Sequence, residues 1–273
     1  MNVRKLLGKL QKTLSRYPLA VRLALLLRNQ CNCIIQYYLC SSNNHSKNGE
    51  AWLANLIAPQ SSTFIDVGAN IGDWSVIFLD SMPKNSKAIL FEPSDNAMHQ
   101  LRLRFEQVEC IDLVKAAVSD SPGKMYFFEE PDAGETSSLV GNFSQKNALK
   151  KLVNVTTIDA EVQKRQWEYV DFLKIDTEGY DLHVLRGAST LLSQHKIGVL
   201  QFEYNAPWAT AGSLLSEAYK MLESFGYKVF LLKESGLFEL NYNRYGEYFS
   251  YSNFVAVEPE RIKDIQTFIK GSI

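Results

Sequence analysis

Five carboxylates recur where apolar runs come to an end: Asp66, Glu92, Asp120, Asp176 and Glu203. One acid after a strand is ordinary turn chemistry. Five in series describe a polar rim along the carboxyl edge of a parallel sheet, which is where open α/β sheets take up ligands. The first lies in Phe64-Ile65-Asp66-Val67-Gly68-Ala69-Asn70-Ile71-Gly72, a short apolar run followed by two glycines four apart and a helical pattern from Asp73. Such a stretch predicts strand, tight turn and helix N-terminus. Glycine lets the backbone approach closely, the helix start offers amides to an anionic group, and Asp66 attracts a cationic one.

Two nucleotide-bearing cofactors suit such a rim. A nicotinamide dinucleotide calls for Gly-x-Gly-x-x-Gly so that a pyrophosphate can meet bare backbone. Here only Gly68 and Gly72 match, with Ala69-Asn70 between them. S-adenosylmethionine carries no phosphate and needs the bend more than the cradle. Its ammonium suits Asp66 and its carboxylate the turn amides. Glu92 can accept both ribose hydroxyls, with Ser94 and Asp120 flanking the adenine. The expected cofactor residues are therefore Asp66, Gly68, Asn70, Gly72, Glu92, Ser94, Asp120 and Asp176.

The elements that must position these groups alternate regularly after residue 50. Helix 50–58 stops at Pro59; strand 63–67, helix 73–81, strand 87–91, a helix capped by Ser94 and strand 111–118 follow. Residues 124–158 read as irregular with short β pieces. Then come helix 160–168, the run Val170–Ile175, helix 180–186, strand 197–203, helix 213–225, and strands 227–233 and 249–257, close enough in sequence to pair antiparallel. A helix over 259–269 closes the chain. The expected fold class is α/β: a mostly parallel sheet with helices on both faces. It is preceded by a helical extension, with domains 1–49 (basic helices and linker) and 50–273.

Asp66-Val67-Gly68-Ala69-Asn70-Ile71-Gly72, Phe91-Glu92-Pro93, Ala117-Val118-Ser119-Asp120 and Leu173-Lys174-Ile175-Asp176-Thr177-Glu178-Gly179 together resemble the motif series of the FkbM-type methyltransferases, over about residues 50–257. The resemblance implies the Rossmann-like, seven-stranded class I methyltransferase fold and methyl transfer from S-adenosylmethionine, with hydroxyl acceptors mostly on sugars and natural products. Such a transfer is an in-line displacement, helped by aligning the acceptor oxygen and by a base for its proton. Asp176 or Glu178, just past the fourth strand, is the expected base or acceptor-orienting carboxylate, with Glu203 and Asn205 beside them. The competing reading makes Asp176 a cap of helix 180–186. Asp176, Glu178 and Glu203 can also hold Mg²⁺ or Ca²⁺, but no metal centre is the favoured expectation. Alternative functions are a non-catalytic S-adenosylmethionine-binding module and a nicotinamide-dependent oxidoreductase.

Charge narrows the partners. The chain of 273 residues has a net charge of only −1, yet residues 1–50 hold eight Lys/Arg against Glu50, so the remainder is acidic. An acidic catalytic half argues against nucleic acid as substrate. It also discounts Asn205-Ala206-Pro207-Trp208, which resembles the signature of amino-methylating nucleic-acid enzymes but has Ala in place of the first Pro. The four cysteines make no zinc pattern. No run is long and apolar enough for a spanning helix, so a cytoplasmic protein is expected, at most peripheral to a membrane's inner face. Residues 3–16 place Val3, Leu6, Leu7, Leu10 and Leu14 at helical spacing among lysines and arginines. Such a helix packs on its own domain or a partner, or lies on an anionic membrane surface through residues 1–39. His183 and His195 read as surface residues, Tyr242, Tyr245, Tyr248, Phe249 and Tyr251 as hairpin packing or, alternatively, the floor of a sugar site, and Ser137-Ser138 as facing the acceptor.

Overall fold

The computed structural model describes residues 3–39, 44–131, 134, 136–141 and 148–273. The chain forms two compact units, 1–40 and 41–273. The first consists of helices α1 (Val3–Leu14) and α2 (Pro18–Leu39), separated at Pro18, whose missing N–H suits a helix start and ends the preceding one.

The second unit runs α3 (Glu50–Ile57), β1 (Thr63–Val67), α4 (Asp73–Leu79), β2 (Lys87–Phe91), α5 (Asp95–Phe105), β3 (Ile111–Val114), β4 (Ala117–Val118), β5 (Gly123–Glu129) and β6 (Leu149–Thr156). It continues with α6 (Ile158–Lys164), β7 (Val170–Ile175), α7 (Asp181–Arg186), α8 (Ser189–Ser193), β8 (Ile197–Tyr204), α9 (Pro207–Thr210) and α10 (Leu215–Ser224). β9 (Lys228–Lys233), β10 (Gly236–Glu239), α11 (Tyr242–Tyr245), β11 (Ser252–Val257), α12 (Ile262–Ile265) and β12 (Ile269–Ser272) complete it.

The main sheet has the order β12-β10-β9-β11-β8-β7-β1-β2-β3. β8, β7, β1, β2 and β3 are mutually parallel, and β11 enters antiparallel to both β8 and β9. This is the expected doubly wound α/β sheet of seven strands, lengthened at one edge by β10 and β12. The strand order reverses between β1 and β7, which places the switch point beside Asp66. The central strands are near-continuous apolar runs because both faces are covered: β8 is buried at every residue. Under the site, Phe64, Trp74, Phe78 and Phe172 stack with centroids 4.4–6.3 Å apart.

Four expectations need correcting. Residues 111–118 are two strands: a turn closed by the Ala116 amide on the Val114 carbonyl (3.0 Å) carries Ala117–Val118 out of the main sheet, into a small one of order β4-β6-β5. Residues 124–158 are less irregular than expected, since β5 and β6 pair antiparallel from Gly123–Val155 to Glu129–Leu149. The closing helix is short and the chain ends in β12, parallel to β10. The described part of the polar run 41–49 is no free linker. His45 Nδ1 lies 2.6 Å from Glu50, and Asn48, fully buried, donates to Glu50 at 2.6 Å. The boundary between the units accordingly falls after Cys40.

Candidate functional site

Strand register lines the acids up. Val67 is level with Phe91 and Ile175, and Ile175 with Phe202, so the next residues Gly68, Glu92, Asp176 and Glu203 leave four adjacent parallel strands in one row. Asp66 stands one residue back, opposite Lys174. A cavity of about 520 Å³ opens over this edge, lined by Asp66, Gly68, Asn70, Glu92, Ser94, Asp176, Glu178 and Glu203 among others.

The turn after β1 is tied to its neighbours rather than left open. The amides of Gly68 and Ala69 both donate to the Phe91 carbonyl at 3.0 Å, and the Asn70 amide donates to Glu92 Oε2 at 2.9 Å. These amides are therefore not offered to an anionic group, contrary to expectation. Gly68 has φ 82°, and a Cβ there would lie 1.8 Å from the Asp176 carbonyl oxygen; glycine is needed for the close approach of β1 to β7. Gly72 caps α4 in the left-handed region (φ 84°) against Phe105 and Leu101, and is a packing residue outside the cavity lining.

Glu92 accepts one backbone amide on each oxygen, from Asn70 and from Ser94 (2.7 Å). Each oxygen keeps a free lone-pair direction. Burial pushes its carboxyl up to about 7, with those two amides holding it back. Ser94 caps α5, accepting from the Ala97 amide (3.2 Å) while donating to Glu129 at 2.6 Å. Asp66 accepts from Ser75 (2.6 Å) through Oδ2; its Oδ1 is buried with no hydrogen-bond partner, as is Asn70 Oδ1. Burial raises the Asp66 carboxyl despite the charge of Lys174.

Lys174 is the one buried cation at this row among the described residues, 2% exposed, 2.7 Å from Asp176 Oδ2 and 5.2 Å from the centre of the Trp74 ring. Burial opposes its charge, but Asp176, Asp66 and Glu50 around it hold it protonated, above the ordinary lysine range. Within an apolar strand such a residue reads as a lapse in the pattern, and sequence reasoning passed it over. Its ion pair also answers the capping question for Asp176. α7 begins at Asp181 without a side-chain cap, while Asp181 accepts from Thr177 (3.0 Å) and from the Glu203 amide (3.2 Å).

Asp176, Glu178 and Glu203 bring carboxylate oxygens within 4.8 Å of one another. Asn205 bridges two of them, its Nδ2 donating to Glu178 at 3.0 Å and to Glu203. Glu203 lies 5% exposed, and burial, reinforced by Asp176, Glu178 and Asp181, pushes its carboxyl well above the carboxylate range. Two residues between β5 and β6 reach the same group: Ser138 Oγ donates to the Glu178 carbonyl (2.7 Å), and Ser137 lines the cavity. Phe249, Tyr251 and His45 line it too, so two of the aromatics expected as packing reach the site. Tyr248 and Tyr242 do pack, donating to Ser252 (2.9 Å) and Glu247 (2.8 Å).

Asp120 is the site residue that the structure sets apart. It does not line the cavity and lies 2.9 Å from His183, which stacks on Tyr180. That hydrogen bond holds its carboxyl below the usual range despite some burial. The kink that removes β4 from the main sheet also removes Asp120 from the row. The adjacent Ala117 and Val118 line the cavity in its place.

The group implied by the sequence can be tested against these atoms. An unpartnered buried carboxylate oxygen on Asp66 fits an ammonium, the spare lone pairs of Glu92 fit two vicinal hydroxyls, and Ala117, Val118 and Phe127 offer an apolar wall near Ser94. These residues fit S-adenosylmethionine. A pyrophosphate would need the turn amides that Phe91 and Glu92 already occupy.

No curated protein sequence matches the chain. Among solved structures it is similar to a precorrin-6y C5,15-methyltransferase from Geobacter metallireducens, at 12% identity over 77% of this chain and 87% of that one, with a TM-score of 0.42. The O-methyltransferase TomG from Streptomyces achromogenes, solved with S-adenosylmethionine, shows 8% identity, 77% and 79% coverage and a TM-score of 0.40. Fibrillarin from Aeropyrum pernix, with natively bound S-adenosyl-L-methionine, shows 11% identity, 76% and 72% coverage and a TM-score of 0.39. The model of the methyltransferase FkbM domain matches residues 66–229, more than half of the chain, and starts at the Asp66 turn. The chain belongs to the FkbM methyltransferase domain family.

Proposed function

We propose that this protein is an O-methyltransferase that acts on a hydroxyl of a sugar, glycan or small hydroxylated metabolite. The observation that carries the reading is the pairing of two surfaces in one cavity. On one side stand Asp66, Asn70, Glu92 and Ser94; on the other, Asp176, Glu178, Glu203 and Asn205. The first group holds the donor, Asp66 taking its ammonium and Glu92 its ribose. Bound there, S-adenosylmethionine supplies an electrophilic methyl group. The second group is rich in acceptors for hydroxyl protons. Asp176, oriented by Lys174, receives the hydrogen bond of the attacking hydroxyl and its proton as the new oxygen–carbon bond forms. Glu178 and Glu203, bridged by Asn205, hold a neighbouring hydroxyl, and Phe249 and Tyr251 offer a ring face to a sugar.

The experiment is methyl transfer from labelled S-adenosylmethionine to a panel of glycans and hydroxylated metabolites, read by mass spectrometry. Product methylated on oxygen is the expected result, retained after treatment with a chelator. Loss on chelation would assign a divalent cation to Asp176, Glu178 and Glu203, as their spacing permits. Methylation on nitrogen would remove the hydroxyl reading. Donor binding without transfer to any member would favour a binding module.

A further inference from the structure

The helical unit carries a pattern that the methyl-transfer site does not use. α1 buries none of its twelve residues, and its Val3, Leu6, Leu7, Leu10 and Leu14 are 47–68% exposed. Their spacing of three and four puts them in one stripe, with Arg4, Lys5, Lys9 and Lys12 around the rest of the circumference. α2 repeats the arrangement over 22 residues. Leu19, Leu23, Leu26, Leu27 and Ile34 share a face and are 58–79% exposed, while Arg22, Arg28, Asn29 and Gln36 lie on the other together with the less exposed Val21 and Leu25. An apolar stripe of this kind needs a covering surface.

Charge selects what covers the two stripes. Residues 3–39 hold seven Lys/Arg and no Asp or Glu. A second copy would bring the same positive charge to the same stripe and repel it. An anionic lipid surface offers phosphates to the basic residues and an acyl boundary to the leucines. No described helix is long and apolar enough to cross a membrane, and Arg22 and Arg28 sit within α2. We propose that α1 and α2 form a peripheral anchor that lies in the surface of an anionic bilayer, leucine faces inward and basic residues at the phosphate level. The anchor stands apart from the assignment of the methyl acceptor, and its test does not involve catalysis.

The intact chain is co-sedimented with vesicles of phosphatidylcholine alone and of phosphatidylcholine with phosphatidylglycerol. Binding is expected only with the anionic lipid, and it should fall when salt rises from about 0.1 M to about 1 M, which shortens the screening length from about 10 Å to about 3 Å. The double substitution Leu7→Asp/Leu10→Asp and the triple substitution Lys5→Glu/Lys9→Glu/Lys12→Glu should each weaken binding by more than about ten-fold. Their S-adenosylmethionine affinity and circular dichroism should match the unaltered chain, since neither set lines the cavity. Failure of the intact chain to bind anionic vesicles would overturn the proposal. So would equal binding to both vesicle types, or undiminished binding by the Leu7→Asp/Leu10→Asp variant. A dimer in light scattering that this variant abolishes, without vesicle binding, would assign the stripe to a second copy.

Discussion

Substitution of Asp176 by Asn is expected to lower kcat by about 10²–10⁴-fold, the range over which a positioned general base contributes. Donor affinity should stay within about ten-fold, because the amide keeps the shape of the side chain and the donor's ammonium and ribose are assigned to Asp66 and Glu92. The physical basis is the position of Asp176 at the end of β7, level with Glu92 and Glu203, with one oxygen committed to Lys174. An asparagine there can still accept a hydrogen bond from Lys174 but can no longer take a proton. Single-turnover rates with saturating donor are the measurement. Full turnover in the variant would move the base to the Glu178–Glu203 pair, whose Glu203 already binds its proton more tightly than an ordinary carboxyl.

Replacing Lys174 by Met is expected to destabilise the protein by about 3–5 kcal/mol, the usual cost of stripping one partner from a buried ionic group. Asp66, Asp176 and Glu50 all draw on this one ammonium, and Asp66 is fully enclosed. The sign of the pH dependence follows from the charges left behind. Without the cation, the Asp66 carboxyl, already raised by burial, rises further above its value in the unfolded chain. Stability then falls as pH rises through that window and is recovered as acid protonates the carboxylates. Denaturant midpoints of the variant should therefore approach those of the unaltered protein near about pH 5 and diverge near about pH 8. A loss below about 1 kcal/mol at neutral pH would mean that the folded state does not depend on this buried cation.

The legible parts of this site were those set by strand period and register. Glu92, Asp176 and Glu203 each follow the apolar run of a strand, and parallel pairing brings them level with Gly68, with Asp66 one residue back. Asp120 fails for a reason no run length shows: the turn at Ala116 breaks the strand and hands its last two residues to another sheet. Gly72 keeps its conformational role but loses its place at the ligand, because Phe105 and Leu101 fill the space against it. Lys174 and His45 escaped notice from opposite directions. One is a lone charge inside a buried strand, the other a histidine in a polar run that looked like linker. Both acquire their meaning from Glu50: it shares in the field that keeps Lys174 charged, and its hydrogen bond to His45 raises that imidazole despite burial. Contacts between residues so far apart in sequence, such as Gln201 with Glu50 or Asn48 with Tyr251, leave no local pattern to read.

The central claim is that the cavity over β1, β2 and β7 is the pocket of the methyl donor, with Glu92 on its ribose. Calorimetric titration of the intact chain with S-adenosylmethionine and with NAD, over about pH 6 to 8, tests it most directly. Glu92 is raised to about 7, and hydroxyl donors favour its charged form. S-adenosylmethionine should therefore bind more tightly as pH rises through that value, by up to about ten-fold per pH unit. Glu92→Gln should weaken binding and flatten the slope, and NAD should not bind. Binding of NAD in preference to S-adenosylmethionine, or a donor affinity indifferent to Glu92→Gln, would contradict the account.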